Sequence, residues 1–332
     1  MSFYDQAEVH RLLVGDEVRT QAFRDAVFAA VEPGAVVLDV GSGSGILSLF
    51  AAQAGASRVY AIERAPGAAA LARRLIAANG LASVVHVIVQ DLEWVRLPEQ
   101  VDVIVSEWLG AYGVDENMLS SVLLARDRWL KRGGTMVPNA VTGWIAPVCH
   151  EAGREALLFR TRRYGLDLSA LAPHPLDQAV WLPSGVTPEQ LRSEPQKLWD
   201  TDCTSMSVAD ARAPIAARLR IRLSSGGVNG LATWFSAEMA SGRTLSNGPG
   251  CPRTHWGQLL FPVANANDLG AGDELHVEFH NVPWGPYGSH HIWATRAAGV
   301  LEVHDTRRSW ASARGPAWRI YQARNGEPGR LT

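Results

Sequence analysis

Hydrophobic spacing divides the chain into two regimes. Up to about residue 138, short apolar runs alternate with stretches of helical period, and beyond it short alternating segments are separated by turns. Residues 4–30 read as helical, with Val9, Leu12, Leu13, Val18, Phe23, Val27 and Phe28 at helical intervals and a break at Gly15. Four runs, residues 36–40, 58–62, 84–89 and 101–105, have the length and β-branched content of buried strands. Between them ILSLFAAQAGA reads as a helix, as does the stretch from Pro66 to a stop at Asn79-Gly80. After Leu119 an amphipathic helix (SVLLARDRWL) is expected to end at Gly133-Gly134. Strands alternating with helices imply a parallel sheet, and such sheets bind ligands at the carboxyl ends of their strands.

From about residue 140 the pattern changes. Residues 217–223, 232–239, 258–263 and 275–279 are short alternating strands parted by Gly, Asn and Pro turns, the mark of an antiparallel, barrel-like domain. Residues from about 151 to 200 read as an insertion of mixed character. The last two dozen, with Trp310, Trp318 and Tyr321, read as a C-terminal extension. The expected division is therefore 1–138, 139–308 and 309–332.

Composition narrows the function classes. The 332 residues are 47% hydrophobic and 19% charged, enough for two folded cores and far from a disordered composition. A net charge of -2 argues against nucleic-acid binding by bulk electrostatics. No apolar stretch approaches the ~20 residues that span a bilayer. The start, MSFYDQAEVHRLL, has no signal-peptide core. Cys149, Cys203 and Cys251 are odd in number and lack metal-ligand spacing, and His290-His291 reads as loop. The expectation is a cytoplasmic protein with no metal, membrane or nucleic-acid partner.

The chemistry gathers at the predicted strand ends. Residues 36–40 contain Asp39 and run into Gly41-Ser-Gly43-Ser-Gly45, whereas a dinucleotide fingerprint needs glycine where Ile46 stands. An acid followed by three alternating glycines is the loop usual in S-adenosylmethionine methyltransferases. Its glycines admit the ligand to the backbone, and the next helix points its N-terminus at the ligand carboxylate. Glu63, about twenty residues on, can accept ribose hydroxyls. The third strand leads to Asp91-Leu92-Glu93 and the fourth to SEWLGAYGVDENML, where Glu107 and Glu116 flank a loop with Gly110 and Gly113. Two carboxylates so placed suit a planar cation rich in N–H donors, above all guanidinium.

Together these features resemble the protein arginine methyltransferase family, in a divergent, bacterial-type form. The resemblance runs from about residue 4 to 308. It rests on VLDVGSGSGILSLFAAQAGA, VYAIE, the SEW loop with RDRWLKRGG behind it, GDEVRTQAFRDAV, and Thr254-His255-Trp256. It implies an α/β Rossmann-like domain binding S-adenosylmethionine, then an antiparallel β-barrel with a helical dimerisation arm inserted at about 151–200, forming a head-to-tail homodimer. It makes Glu107 and Glu116 the acceptor-binding glutamates, and Asp16 and His255 a pair tying the barrel to the N-terminal helices. Arg19 would pair with the cofactor carboxylate beside His10. Asp39, Gly41, Gly43 and Glu63 would complete the cofactor site, with Leu92 and Glu93 on the adenine. Tyr4, Leu13, Met118 and Trp256 would surround the acceptor.

The departures lie in the acceptor pocket. Of the N-terminal aromatic cluster only Tyr4 remains, Ala111 to Asp115 replace bulkier residues, and Leu13 stands where methionine is common. The shortened N-terminal helix, the reshaped loop and a nearly neutral chain lean toward free arginine or another small guanidine as acceptor, with Asp115 available for an α-amino group. Protein arginine is the alternative. A non-catalytic S-adenosylmethionine-binding regulator is the rival of another class, and it has no use for a guanidinium clamp.

Overall fold

Residues 6–158, 162, 164–168, 176–284 and 288–308 are described by the computed structural model. Two helices open the chain, α1 (Ala7–Gly15) and α2 (Glu17–Ala30). The break between them is set by Asp16, whose carboxylate caps α2 by accepting Arg19 N–H at 3.0 Å. Five parallel strands follow: β1 (Val36–Val40), β2 (Arg58–Glu63), β3 (Val85–Val89), β4 (Val101–Val105) and β5 (Leu130–Val137), in the order β3-β2-β1-β4-β5. Helices α3 (Ile46–Gln53), α4 (Pro66–Ala78) and α5 (Leu119–Trp129) make the crossovers after β1, β2 and β4. All five residues of β1 are buried, as befits a central strand covered on both faces. Strand order reverses on either side of β1, which opens a crevice at its carboxyl end.

One element departs from the expectation. Gly133-Gly134 does not end a helix; α5 stops at Trp129, and the glycines lie inside β5. A side chain at Gly134 would put its Cβ 2.8 Å from Asp102 O, and the β4–β5 register shifts in this region. Glycines inside a strand thus mark an irregular pairing and a close backbone approach.

The second domain begins with β6 (Ala140–Val148), close to the expected boundary. After α6 (Glu151–Leu157) come β7 (Val180–Leu182), β8 (Gln196–Asp202), a short helix α7 (Val208–Arg212), β9 (Ile215–Arg222), β10 (Gly230–Glu238), β11 (Thr244–Ser246) and β12 (Gln258–Pro262). Strands β13 (Glu274–Pro283), β14 (Ser289–Ala297) and β15 (Val300–Asp305) complete it. They form two antiparallel sheets, β7-β12-β10-β6-β8 with β11 beside β10, and β15-β14-β13-β9. The aromatic rings of Phe261, Phe279 and Trp293 join them, with centroids 4.9 Å apart for the two phenylalanines and 5.2 Å for Phe261 and Trp293.

Two further expectations need correction. The span 151–200 is not a wholly helical arm, because β7 pairs with β12 and β8 with β6 inside the barrel sheet. His290 and His291 belong to β14 rather than to a loop, and both are buried. Trp310, Trp318 and Tyr321 lie outside the described residues. Phe279 is fully buried between the sheets. Phe279→Ala is expected to lower stability by about 3–5 kcal/mol, read from the urea unfolding midpoint.

Candidate active site

A cavity of about 670 Å³ occupies the crevice at the carboxyl end of the parallel sheet. At one end lies the glycine loop. Gly41, Gly43 and Gly45 all have positive φ (70°, 54° and 79°), and a Cβ on Gly41 would meet Met118 Cε at 2.9 Å. Glu63 is held by two backbone donors, Gly43 N to Oε2 at 2.9 Å and Ala65 N to Oε1 at 2.7 Å. Each oxygen keeps acceptor capacity for a ribose hydroxyl. Further along, Leu92 and Glu93 occupy a 3₁₀ turn (Leu92–Trp94) capped by Asp91, which accepts Glu93 N–H at 3.1 Å. His10, Arg19, Gly41, Gly43, Glu63, Leu92 and Glu93 all line this cavity. Asp39 does not. It is buried beneath the loop and accepts Ser48 Oγ–H at 2.6 Å, and burial pushes its pKa up to about 7 against that bond.

Glu107, Glu116, Leu13 and Met118 line the same cavity, so both loop carboxylates face the space reached by the glycine loop. Arg19 has a partner the sequence did not reveal. Its Nη2 and Nε donate to Glu107 Oε2 at 2.8 and 3.1 Å, and its Nη1 to Leu13 O at 3.2 Å. Glu107 Oε1 accepts Leu109 N–H at 2.9 Å. The pair is nearly closed to solvent, with side-chain exposures of 6% and 12%. Tyr4 lies outside the described residues.

The loop between the glutamates is neither helix nor strand, and the barrel holds its backbone. Trp256 Nε1 donates to Leu109 O at 2.5 Å, Asn247 Nδ2 to Ala111 O at 2.7 Å, and Trp199 Nε1 to Tyr112 O at 3.1 Å. Tyr112 Oη lies 2.8 Å from His291 Nε2. Trp256 is therefore a buried brace behind the loop and not part of the cavity wall. Asp115 is likewise committed elsewhere. Its two oxygens accept Ala111 N–H and Tyr112 N–H at 3.1 and 3.2 Å, so it is not presented to an α-amino group. Gly110 is required beside it, since a Cβ there would lie 2.2 Å from Asp115 Oδ1.

Asp16 and His255 meet, as the family resemblance implied. Asp16 Oδ2 accepts His255 N–H at 2.7 Å and lies 2.8 Å from His255 Nδ1, joining α2 to the barrel. Burial works to raise the Asp16 pKa, but hydrogen bonds from His255 and Arg19 outweigh it and leave it below the ordinary value. Burial also holds the His255 pKa below its ordinary value, against the pull of Asp16 and Glu107. The two directions agree on a neutral imidazole donating Nδ1–H to a carboxylate. His255 lines the cavity; Asp16 stands behind it.

Residues 37–134 match a methyltransferase domain model, and residues 139–284 match the arginine methyltransferase oligomerization subdomain. Protein arginine N-methyltransferase PRMT10 of Oryza sativa subsp. japonica is 35% identical over 298 residues, covering 80% of this chain and 78% of that one. Protein arginine N-methyltransferase 6 of Xenopus laevis is 36% identical over 275 residues, covering 78% of each. The chain belongs to the protein arginine N-methyltransferase family. Among solved structures, the Trypanosoma brucei PRMT1 enzyme-prozyme heterotetrameric complex with AdoHcy matches with a TM-score of 0.80 at 26% identity, covering 92% of this chain and 99% of that one. Arabidopsis thaliana protein arginine methyltransferase 10 matches with a TM-score of 0.72 at 26% identity, covering 91% and 99%. The chain is thus an arginine N-methyltransferase dependent on S-adenosylmethionine, and the fixed Glu63 carboxylate and open glycine loop suit a nucleoside with a charged tail.

Several wall residues of this methyltransferase escaped the sequence reading. Leu109, Asn117, Arg212 and Pro283 line the cavity. Asn117 carried a local signal, an Asn in a turn able to take its observed positive φ of 56°. Arg212 and Pro283 carried none, because only long-range folding brings them there. The buried histidines make stability pH-dependent. Burial, with the neighbouring His290, lowers the His291 pKa to about 3, whereas an unfolded histidine titrates near ~6.5. Below about pH 6.5 the unfolded chain binds more protons than the folded one, so His291 and His255 contribute stability that fades as pH falls. His304 acts in the opposite sense. Burial lowers its pKa, but bonds to Asp177 and Glu302 outweigh it and raise it. Urea midpoints at pH 7.5 and 5.0 are expected to differ less in His291→Asn than in the parent; an equal difference excludes His291 as a source.

Proposed function

We propose that this chain methylates arginine side chains of protein substrates, with Glu107 and Glu116 clamping the guanidinium. The observation that carries the reading is the sharing of one cavity by both carboxylates, the glycine loop and Glu63. The relatives that match most of the chain are named protein arginine N-methyltransferases, which favours a protein acceptor over free arginine. The free-arginine reading leaned on a shortened N-terminal helix, a reshaped loop and a nearly neutral chain; the α-amino partner it suggested, Asp115, has its oxygens taken up by the loop backbone.

The chemistry follows from the acceptor's basicity. Arginine has a pKa of about 13, so stripping its proton at pH 7 before attack costs ~8 kcal/mol. A clamp that holds the cation and lets the proton leave during or after transfer avoids most of that cost. Glu107 and Glu116 bind the guanidinium edges and draw positive charge away from one terminal nitrogen, which attacks the sulfonium methyl in line. Pre-alignment of this kind supplies ~7–11 kcal/mol of the barrier. Arg19 keeps the Glu107 carboxylate oriented before the acceptor arrives. The proton leaves through one of the two clamp carboxylates or through His255, whose Nδ1 lies 2.8 Å from Asp16.

The match to an oligomerization subdomain supports assembly through the second domain, and we take the assembly to be a head-to-tail homodimer. Three free cysteines suit a reducing, cytoplasmic setting. Glu107→Gln and Glu116→Gln are each expected to bind S-adenosylmethionine normally and to lose methyl transfer at least about 100-fold. Near-normal turnover in either removes the clamp. Mass spectrometry after incubation of an arginine-glycine-rich peptide, or of free L-arginine, with the cofactor decides the acceptor. Methylation of the peptide is expected, and methylation of L-arginine alone refutes the protein-acceptor reading.

A further inference from the structure

The parallel sheet does not build the whole cavity wall around the 3₁₀ turn. Helix α7, carried by the second domain, places Ala211 and Arg212 on that wall beside Gln90, Asp91, Leu92 and Glu93. The helix is anchored there. Ser207 caps it by accepting Asp210 N–H at 3.0 Å, and Val208 and Ala211 pack against the main core. Arg212 Nη2 lies 3.9 Å from Glu93 Oε1. From the other side, Arg128 Nη1 donates to Leu92 O at 3.2 Å and to Glu93 O at 3.0 Å, which fixes the backbone of the turn.

The Arg212–Glu93 pair contributes little to folding. Its side chains are 58% and 60% exposed, and exposed pairs are worth ~0.2–1 kcal/mol. Yet it joins the two domains at the rim of a ligand cavity, next to a backbone turn already held rigid by Arg128. With the turn fixed, the remaining freedom of Glu93 is the rotation of its own side chain. At 3.9 Å the guanidinium is an ion-pair partner without a hydrogen bond, so it biases that rotation by charge and leaves the Glu93 lone pairs for an incoming N–H donor.

We propose that Arg212 is a positioning residue for the cofactor, orienting the Glu93 carboxylate toward the exocyclic amine of adenine. The proposal rests on the reading of Glu93 as the adenine acid. It makes the second domain a contributor to cofactor affinity, through α7.

Calorimetric titration of the full-length protein with S-adenosylhomocysteine tests it without any acceptor. Arg212→Ala is expected to weaken binding about 3–5-fold. Arg212→Glu weakens it further by setting a like charge against Glu93, while the melting temperature of the unliganded protein stays close to the parent's. In a Glu93→Gln background, Arg212→Ala should change binding less than about twofold, because the group it orients is altered. No loss in the parent background, or an undiminished loss in both, overturns the proposal alone. Unchanged binding in Glu93→Gln by itself overturns the adenine reading and the proposal with it.

Discussion

The site depends on how a loop without secondary structure is held still. Between the end of β4 and the start of α5, the chain from Ser106 to Met118 carries both glutamates but makes no ladder or helix of its own. Its carbonyls at Leu109, Ala111 and Tyr112 are met by Trp256, Asn247 and Trp199, all from the second domain. Each such bond is worth only about 0.5–1.5 kcal/mol net, yet a buried carbonyl left without a donor costs about 1–3 kcal/mol. The donors therefore choose one loop conformation over many. The barrel works as the back wall of the catalytic loop, and the two domains form one site.

Charge is arranged with the same economy. Arg19 and Glu107 form a nearly dry pair, and removal of one partner from such a pair typically costs about 3–5 kcal/mol because the other is stranded. Glu107 is thereby oriented by Arg19 on one oxygen and Leu109 N–H on the other. Asp16 contributes to the same corner by capping α2 at Arg19 and holding His255. One aspartate thus links the start of the arginine's helix, the barrel and the cavity-lining histidine.

What could be read from the sequence was what is local. The glycine loop, Glu63, the Leu92–Glu93 turn and Glu107 sit at strand ends, with Glu116 on the loop that follows, and strand ends are visible as apolar runs followed by turn residues. Asp16 and His255 came from the family resemblance, and the structure joins them across 239 positions of sequence. Contacts fixed only by tertiary folding stayed hidden: the Arg19–Glu107 pair, the Asp115 oxygens turned onto Ala111 and Tyr112, and Arg212 on the cavity wall. Gly133-Gly134 misled because glycine signals a helix stop and a strand irregularity equally well, and only pairing with β4 decides between them. Trp256 misled because its neighbour His255 does face the cavity, while the indole packs edge-on against Phe235 at 5.0 Å.

The most direct test of the clamp is a crystal structure of the protein with S-adenosylhomocysteine and an arginine-containing peptide. The account predicts the peptide guanidinium between Glu107 and Glu116, with nitrogen–oxygen distances of about 2.7–2.9 Å to both carboxylates. A guanidinium that contacts neither glutamate, or only one while the other faces solvent, would contradict it.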